Sequence, residues 1–233
     1  MKIFIPRETG FCNGVSSAVS KALSVTDKAY CLGQIVHNAS VTDTLVQKGI
    51  ITVNDVNEVP QGSTLIIRAH GVGKRVYDVA REKKLTLVDA TCPSVKAVQN
   101  KARDYHERGY RVVLVGDARH PEIQGINGWC EGEAVIFDGK SKLTLDCDKA
   151  LIMFQTTFDS RLFEKSLQNI STDRVKTLEI FNTICYTTLQ RQYYAQTLSA
   201  KCDLAVVVGD SNSSNTRRLY EIACQNCKTV ITD

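Results

Sequence analysis

The chain contains 233 residues, of which 43% are hydrophobic and 23% are charged, and its formal net charge is +4. This composition is typical of a globular protein, and the dispersed basic residues, which form no Lys/Arg block, argue against a nucleic-acid partner. No apolar run approaches the roughly 20 residues that span a bilayer, which argues against a membrane protein.

The start of the chain and its cysteines indicate a cellular compartment. The opening residues contain no long apolar segment, so no secretory signal peptide is predicted. We therefore expect a cytoplasmic protein in which the nine cysteines are reduced. An odd number of cysteines also fits poorly with complete disulfide pairing, which favours metal or redox chemistry for some of them.

One sequence pattern occurs three times along the chain. Each copy opens with a cysteine, continues to a glycine, and places a polar residue four positions after that glycine. The three copies are Cys12, Gly33 and His37; Cys92, Gly116 and His120; and Cys185, Gly209 and Ser213. A repeat of this length is a domain-sized unit rather than a solenoid repeat. The pattern therefore predicts three domains around one centre that contains three thiols and a ring of polar groups.

The predicted secondary structure alternates helices with short strands. A helix is expected after each repeat cysteine, because apolar residues recur at helical spacing after Cys12, Pro93 suits a first helical turn, and 186–198 lack Gly and Pro. Strands are predicted at 29–32, 64–68, 111–115, 150–154 and 204–208. This alternation indicates an α/β fold with mostly parallel sheets, in which ligands bind beyond the carboxyl ends of the strands.

The repeat also predicts the domain boundaries. The first domain is expected at 13–92, the second at 93–184, and the third from 1–12 together with 185–233. The first two domains contain a further strand that ends in a polar turn, around His70 and around Thr156. Since the third has no counterpart of that strand or turn, we expect it to be incomplete at its C-terminus.

The three repeat cysteines, Cys12, Cys92 and Cys185, are candidate metal ligands. A thiolate at a helix N-terminus is stabilised by the helix dipole and by free amide groups. Three thiolates could hold Zn²⁺ or an iron–sulfur cluster, although a single cysteine is often only a small core residue. Single cysteines from three domains better suit a cubic cluster with one iron left open. Cys224 and Cys227 form a Cys-x-x-Cys pair, but no second pair lies nearby in the sequence.

Polar residues at the predicted strand ends form a candidate anion site. Imidazoles and hydroxyl and amide groups there could hold a phosphate or diphosphate by hydrogen bonds. No Gly-rich phosphate loop is present, which argues against a nucleotide P-loop. The candidate residues are His37, His70, His120, Ser213, Ser214 and Asn215.

Glu122 and Thr156 are the candidate proton-transfer residues. A buried carboxyl group near an anion has a raised pKa and can act as a proton donor, and the Thr156 hydroxyl could relay that proton. The structural alternatives are a salt-bridged loop acid for Glu122 and a turn-capping hydroxyl for Thr156.

These residues together resemble the family of 4-hydroxy-3-methylbut-2-enyl diphosphate reductases of non-mevalonate isoprenoid synthesis. The resemblance covers essentially the whole chain, with the motifs in the family's order. The motifs are Gly10-Phe11-Cys12-Asn13-Gly14-Val15, Val36-His37-Asn38, Ala69-His70-Gly71-Val72, Ala90-Thr91-Cys92-Pro93, His120-Pro121-Glu122, Gln155-Thr156-Thr157, Ile184-Cys185-Tyr186 and Asn212-Ser213-Ser214-Asn215.

The resemblance implies three α/β domains in a pseudo-threefold arrangement around a [4Fe–4S] cluster. It implies that Cys12, Cys92 and Cys185 are the cluster ligands, which leaves the apical iron open for the substrate hydroxyl. The histidines and the residues around Ser213 would then bind the diphosphate of an allylic substrate. Glu122, helped by Thr156, would protonate the departing hydroxyl. Electrons from a ferredoxin or flavodoxin would yield isopentenyl and dimethylallyl diphosphate.

The chain departs from the family at its C-terminus, where family members continue to an Ala-Gly-Ala-Ser turn whose serine also contacts the diphosphate. Two alternatives remain open from the sequence: a non-catalytic iron–sulfur sensor, and a zinc-dependent hydrolase that uses the three cysteines. A sensor would not need a proton donor or a diphosphate site.

Overall fold

The first part of the chain forms a four-stranded parallel sheet. The computed structural model describes residues 2–232. In chain order, the elements are α1 (Asn13–Leu23), β1 (Ala29–Leu32), α2 (Ala39–Gln47), β2 (Ile50–Val53), β3 (Thr64–Ile67), α3 (Lys74–Glu82) and β4 (Thr86–Asp89). The strand order is β2-β1-β3-β4, and Ala29 of β1 lies opposite Ile50 and Thr64. Helices cover both faces, since Ile66 packs in one core and Leu65 and Ile67 pack in the other.

The second part repeats this design with a second four-stranded parallel sheet. In chain order, its elements are α4 (Pro93–Glu107), β5 (Arg111–Val115), α5 (Pro121–Asn127), β6 (Val135–Phe137), β7 (Leu143–Thr144), β8 (Lys149–Phe154), α6 (Phe163–Gln168), β9 (Ile170–Ser171) and β10 (Thr177–Phe181). The strand order is β10-β8-β5-β6, and a two-stranded sheet joins β7 and β9. Val113, Val115 and Ile152 pack on one face of the main sheet, whereas Leu114 and Met153 pack on the other.

The third part is smaller. It contains α7 (Tyr186–Ser199), β11 (Leu204–Val208), α8 (Ser214–Ala223) and β12 (Lys228–Thr232), and β11 pairs with β12 in parallel. Within residues 2–232 this sheet has two strands. Leu204, Val206 and Val208 of β11 are exposed.

The order helix, strand, helix, strand occurs in each of the three parts, and the two strands of that unit are parallel neighbours each time. The predicted α/β fold with mostly parallel sheets is therefore confirmed. The predicted strands at 29–32, 111–115 and 204–208 have the observed bounds. The strand predicted at 64–68 ends one residue earlier, because the carbonyl of Arg68 already accepts the turn hydrogen bond of Gly71.

The strand predicted at 150–154 begins one residue earlier, at Lys149, because Lys149 already pairs with Thr177 of β10. Within residues 2–232, none of the helices combines the length and apolar character needed to cross a membrane.

Candidate functional site

Each of the three repeat cysteines is the N-cap residue of a helix. Cys12 precedes α1, Cys92 precedes α4 and Cys185 precedes α7. The Sγ atom of Cys185 accepts the backbone N–H of Thr188 at 3.4 Å. Burial raises the pKa of the Cys92 thiol, and the neighbouring Cys12 and Cys185 raise it further. The three sulfur atoms are therefore close enough to influence one another.

Gly14 gives the cysteines the space that they need. A Cβ atom at Gly14 would lie 2.5 Å from Sγ of Cys92 and 3.9 Å from Sγ of Cys12. A side chain at this position would therefore displace the thiol of Cys92. Because both sulfur atoms border the same point, α1 and α4 meet at their N-terminal ends.

The donor set of this centre suits an iron–sulfur cluster, because it consists of three thiols at three helix N-termini. Among the side chains of residues 2–232, no group of three His, Cys, Asp or Glu residues that could hold a single metal ion is found. An iron–sulfur cluster is larger than an ion and is held by thiolates that can come from separate segments. The cysteines Cys12, Cys92 and Cys185 supply this soft donor set at three helix N-termini.

Two of the cysteines are fixed by their backbone against the turns that contain the predicted polar residues. The N–H of Cys92 donates to the carbonyl of Ala69 at 2.9 Å, next to His70. The N–H of Cys185 donates to the carbonyl of Thr156 at 3.0 Å. The thiols are thus connected directly to the predicted anion site and proton donor.

The histidines predicted at three strand ends form one cluster. The ring centroids of His37 and His70 are 5.3 Å apart, and those of His70 and His120 are 5.4 Å apart. Burial lowers the pKa of all three imidazoles, that of His120 to about 4, and neighbouring histidines lower the pKa of His70 and His120 further. The three rings are therefore neutral near pH 7.

His120 and Ser213 have equivalent positions in their repeats. His120 is the N-cap of α5, and its Nδ1 accepts the N–H of Glu122 at 3.2 Å. Ser213 is the N-cap of α8, and its hydroxyl accepts the N–H of Thr216. In the first repeat the N-cap is Asn38, one residue after His37. Because Nδ1 of His120 accepts, the proton of the neutral ring is on Nε2, which is free to donate to an anion.

Glu122 is buried and bonded twice to Thr156. Its side chain is 2% exposed. Its carboxyl group accepts the N–H of Thr156 at 2.7 Å and the hydroxyl of Thr156 at 2.6 Å. Burial raises the pKa of Glu122, although the hydrogen bonds from Thr156 oppose that rise. A carboxyl group with a raised pKa, already bonded to a hydroxyl, can deliver a proton through that hydroxyl.

The N-terminal end of α8 packs on the turn after β8. The hydroxyl oxygens of Ser214 and Thr157 are 3.1 Å apart, and Nε2 of Gln155 lies 3.5 Å from the Ser214 hydroxyl. The same end of α8 also faces the first repeat, since Arg217 lowers the pKa of His37 and Asp210 raises it. Ser213, Ser214 and Asn215, all half-buried, are thus located near the histidines.

Sequence analysis missed the ion pairs that hold α8 in place. Asp159 is 2% exposed and binds Arg161 at 2.7 Å and Arg218 at 3.4 Å. Arg218 comes from the last helix, so only the folded chain brings it to Asp159, and no sequence motif joins the two. Cys224 and Cys227 lie at the opposite end of α8 from Ser213: Cys224 is the C-cap of α8, and Cys227 comes just before β12.

A family model described as LytB protein matches residues 3–233. A 4-hydroxy-3-methylbut-2-enyl diphosphate reductase of Thermoanaerobacter sp. (strain X514) is 39% identical over 239 residues, which cover 99% of this chain and 83% of that protein. The reductase of Clostridium acetobutylicum is 38% identical over 238 residues, which cover 99% of this chain but 37% of that longer protein.

Solved structures agree with these relatives. The E-1-hydroxy-2-methyl-but-2-enyl-4-diphosphate reductase of Plasmodium falciparum aligns with a TM-score of 0.88 and 30% identity, over 96% of this chain and 74% of that one. A structure of (E)-4-hydroxy-3-methyl-but-2-enyl diphosphate reductase, the terminal enzyme of the non-mevalonate pathway, aligns with a TM-score of 0.70 and 33% identity, over 98% and 84%. The chain therefore belongs to the LytB protein family, a family of reductases.

Proposed function

We propose that this chain removes the hydroxyl group of (E)-4-hydroxy-3-methylbut-2-enyl diphosphate by reduction. The substrate takes up two electrons and two protons, its C–O bond breaks, and water leaves with isopentenyl diphosphate or dimethylallyl diphosphate as the product. The observation that supports this function is the buried Glu122–Thr156 pair, which is bonded through Thr156 to the backbone of Cys185. Family membership supports the same reaction.

Cys12, Cys92 and Cys185 would hold a [4Fe–4S] cluster in this proposal. When bound, the cluster would supply the electrons and an open iron that acts as a Lewis acid toward the substrate hydroxyl. Gly14 leaves room for the thiol of Cys92 beside α1. All three cysteines are N-cap residues of helices, and the thiolate is the form of cysteine that binds iron.

Glu122 would donate the proton that turns the departing hydroxyl into water. Its raised pKa keeps a fraction of the carboxyl group protonated closer to neutral pH than an exposed glutamate allows. When Glu122 is protonated, the 2.6 Å hydrogen bond reverses, so that Glu122 donates and the Thr156 hydroxyl accepts. The Thr156 hydroxyl then donates its own proton to the substrate oxygen. The Glu122–Thr156 pair would thereby deliver the proton to the hydroxyl oxygen of the substrate.

The diphosphate end of the substrate would bind between the histidine cluster and the N-terminal end of α8. Nε2 of His120 can donate to a phosphate oxygen because Nδ1 already accepts from the backbone. Hydroxyl, amide and imidazole donors, together with free N–H groups at a helix N-terminus, suit an anionic ligand. The groups in this proposal are His37, His70, His120, Ser213, Ser214 and Asn215.

The electron donor in this proposal is a ferredoxin or flavodoxin in the cytoplasm. The experiment that tests the function is an anaerobic assay with reconstituted protein, a chemical one-electron reductant and the hydroxylated diphosphate. Formation of the two five-carbon diphosphates supports the enzyme. An iron-containing protein that binds no substrate would support a sensor, and a zinc-containing protein that releases phosphate would support a hydrolase.

A further inference from the structure

Arg68 lies at the carboxyl end of the first sheet, beside the histidine cluster. It follows β3 and precedes Ala69 and His70. Its side chain crosses over Gly33, and a Cβ atom at Gly33 would lie 3.1 Å from the guanidinium carbon. Gly33 has a φ of +72°, and because it has no side chain, the space above the end of β1 is occupied by the side chain of Arg68. The glycine therefore allows the guanidinium group to reach the edge of the sheet where ligands bind.

The positive charge of Arg68 has no counter-ion in the described chain. Within residues 2–232, no salt bridge or side-chain hydrogen bond involves Arg68, and its buried Nε lacks a hydrogen-bond partner. Arg161 and Arg218 differ, since both pair with the buried Asp159. Arg68 is half-buried and its guanidinium group remains charged. Since no carboxylate of residues 2–232 pairs with it, an anionic ligand can neutralise this charge.

The charge of Arg68 lies close to the proposed diphosphate site, because Arg68 is two residues before His70. Arg68 lowers the pKa of each of His37, His70 and His120, so its charge acts on the whole cluster. Nδ1 of His70 is likewise buried and unpartnered within residues 2–232. Arg68 and His70, which are two residues apart in the turn after β3, thus each carry a buried nitrogen atom without a partner within residues 2–232. The donors already assigned there are hydroxyl, amide and imidazole groups, which supply direction but no permanent charge.

We propose that Arg68 is a further substrate-binding residue, whose guanidinium group pairs with the diphosphate end of the substrate and supplies a fixed positive charge to that site. This inference rests on the proposed function. Arginine suits the role because its planar fork can donate two parallel hydrogen bonds to phosphate oxygens. The ligand class is a diphosphate ester, and inorganic pyrophosphate carries the same recognised group.

The test compares binding and turnover in three variants of the cluster-loaded protein. Arg68→Met removes the charge and keeps much of the volume, Arg68→Lys keeps a point charge, and Arg75→Met removes an exposed arginine of α3 as the matched control. Calorimetry gives the Kd of isopentenyl diphosphate and of inorganic pyrophosphate at two salt concentrations. Iron content and thermal melting are measured on each variant, and Arg68→Gln replaces Arg68→Met if the latter does not fold.

We expect Arg68→Met to weaken both ligands and raise KM by about ten- to hundredfold, as for loss of a hydrogen bond to a charged group. The kcat and the cluster spectrum should change little. Arg68→Lys should regain part of the affinity, Arg75→Met should match the wild type, and the salt dependence of binding should weaken in Arg68→Met. A purely structural role for Arg68 would instead lower the melting temperature and leave Kd unchanged.

The outcomes separate this inference from the proposed function. Wild-type reductase activity combined with unchanged affinity in a folded Arg68→Met or Arg68→Gln variant overturns the assignment of Arg68 alone. Pyrophosphate binding that depends on Arg68, in a protein that does not reduce the substrate, contradicts the proposed reaction and supports the anion site. A wild-type protein that binds neither pyrophosphate nor isopentenyl diphosphate overturns both.

Discussion

The carboxyl group of Glu122 accepts two hydrogen bonds from Thr156, one from its backbone N–H and one from its hydroxyl. Glu122 lies in the first turn of helix α5, which follows β5, whereas Thr156 lies in the turn after β8. Thr156 in turn accepts the N–H of Cys185 through its carbonyl. One turn thus connects the candidate proton donor to a candidate cluster ligand, and this geometry leads to the first prediction.

Replacing Glu122 by Gln should abolish most turnover without loss of the cluster. Glutamine keeps the shape and can still accept from Thr156, but it cannot deliver a proton. Loss of a general acid typically costs about 10²- to 10⁴-fold in rate. The matched control is Glu82→Gln, an exposed position at the end of α3. Anaerobic steady-state kinetics measure both, and wild-type turnover in Glu122→Gln would show that another group supplies the proton.

Replacing Cys12, Cys92 or Cys185 by Ser should each prevent assembly of a stable four-iron cluster. A serine hydroxyl does not replace the soft thiolate ligand that iron–sulfur clusters prefer. Cys224→Ser is the control, because Cys224 is exposed at the end of α8. Iron and sulfide content after anaerobic reconstitution provides the measurement. If Cys224→Ser lost iron while Cys12→Ser retained it, the ligand assignment would be wrong.

Gly14→Ala should separate cluster binding from helix stability. The added Cβ would lie 2.5 Å from Sγ of Cys92, so the thiol must move away from its ligand position. Gly14 is the second residue of α1, where the gain in helix propensity from Gly to Ala is at most about 1 kcal/mol, so the stability of the cluster-free protein should change little. Ser17→Ala, an exposed change in the same helix, is the control. Iron retention and thermal melting are compared, and full iron retention in Gly14→Ala would contradict the close packing at Cys92.

The stability of the protein should decrease as the pH falls from about 6.5 to about 4, in part through His120. Burial lowers the pKa of His120 from 6.5 to about 4 in the folded state. Between these values the unfolded chain binds more protons, so acid favours unfolding. His120→Asn keeps an N-cap side chain for α5, as Asn38 does for α2, and removes this titration. Between pH 6.5 and pH 4 we expect the free energy of unfolding of His120→Asn to fall by about 2 kcal/mol less than that of the wild type.

Denaturant unfolding of the wild type and His120→Asn at several pH values provides the measurement. The two proteins should converge in their pH dependence above about pH 7, where neither the folded nor the unfolded imidazole is charged. An equal loss of stability in both proteins between pH 6.5 and 4 would mean that His120 is not buried as a neutral ring.

Much of the fold and of the site followed from the repeat in the sequence. Each cysteine occupies the N-cap position of a helix, as the repeat predicts, and the helices begin at Asn13, Pro93 and Tyr186. Short apolar segments that are followed by a glycine or a polar turn correctly predicted β1, β5 and β11. The repeat also aligned His120 with Ser213, and both are N-cap residues.

The sequence could not predict contacts between segments that are distant along the chain. Arg218 reaches Asp159 only after α8 packs on the second sheet, and neither residue lies in a motif. Arg68 lies beside a motif, but only the structure shows that its charge is unpaired within residues 2–232 and directed at the histidines. The domain boundaries at 13–92, at 93–184, and at 1–12 together with 185–233 stay predictions.

Counting electrons against products in a single reaction tests the proposed reduction. Reconstituted protein is mixed under argon with a measured amount of chemical reductant and with substrate that carries ¹⁸O in its hydroxyl group. We expect that two electrons are consumed for each isopentenyl or dimethylallyl diphosphate formed, and that the label leaves as water. Release of phosphate without electron consumption, or no loss of the labelled oxygen, would contradict it.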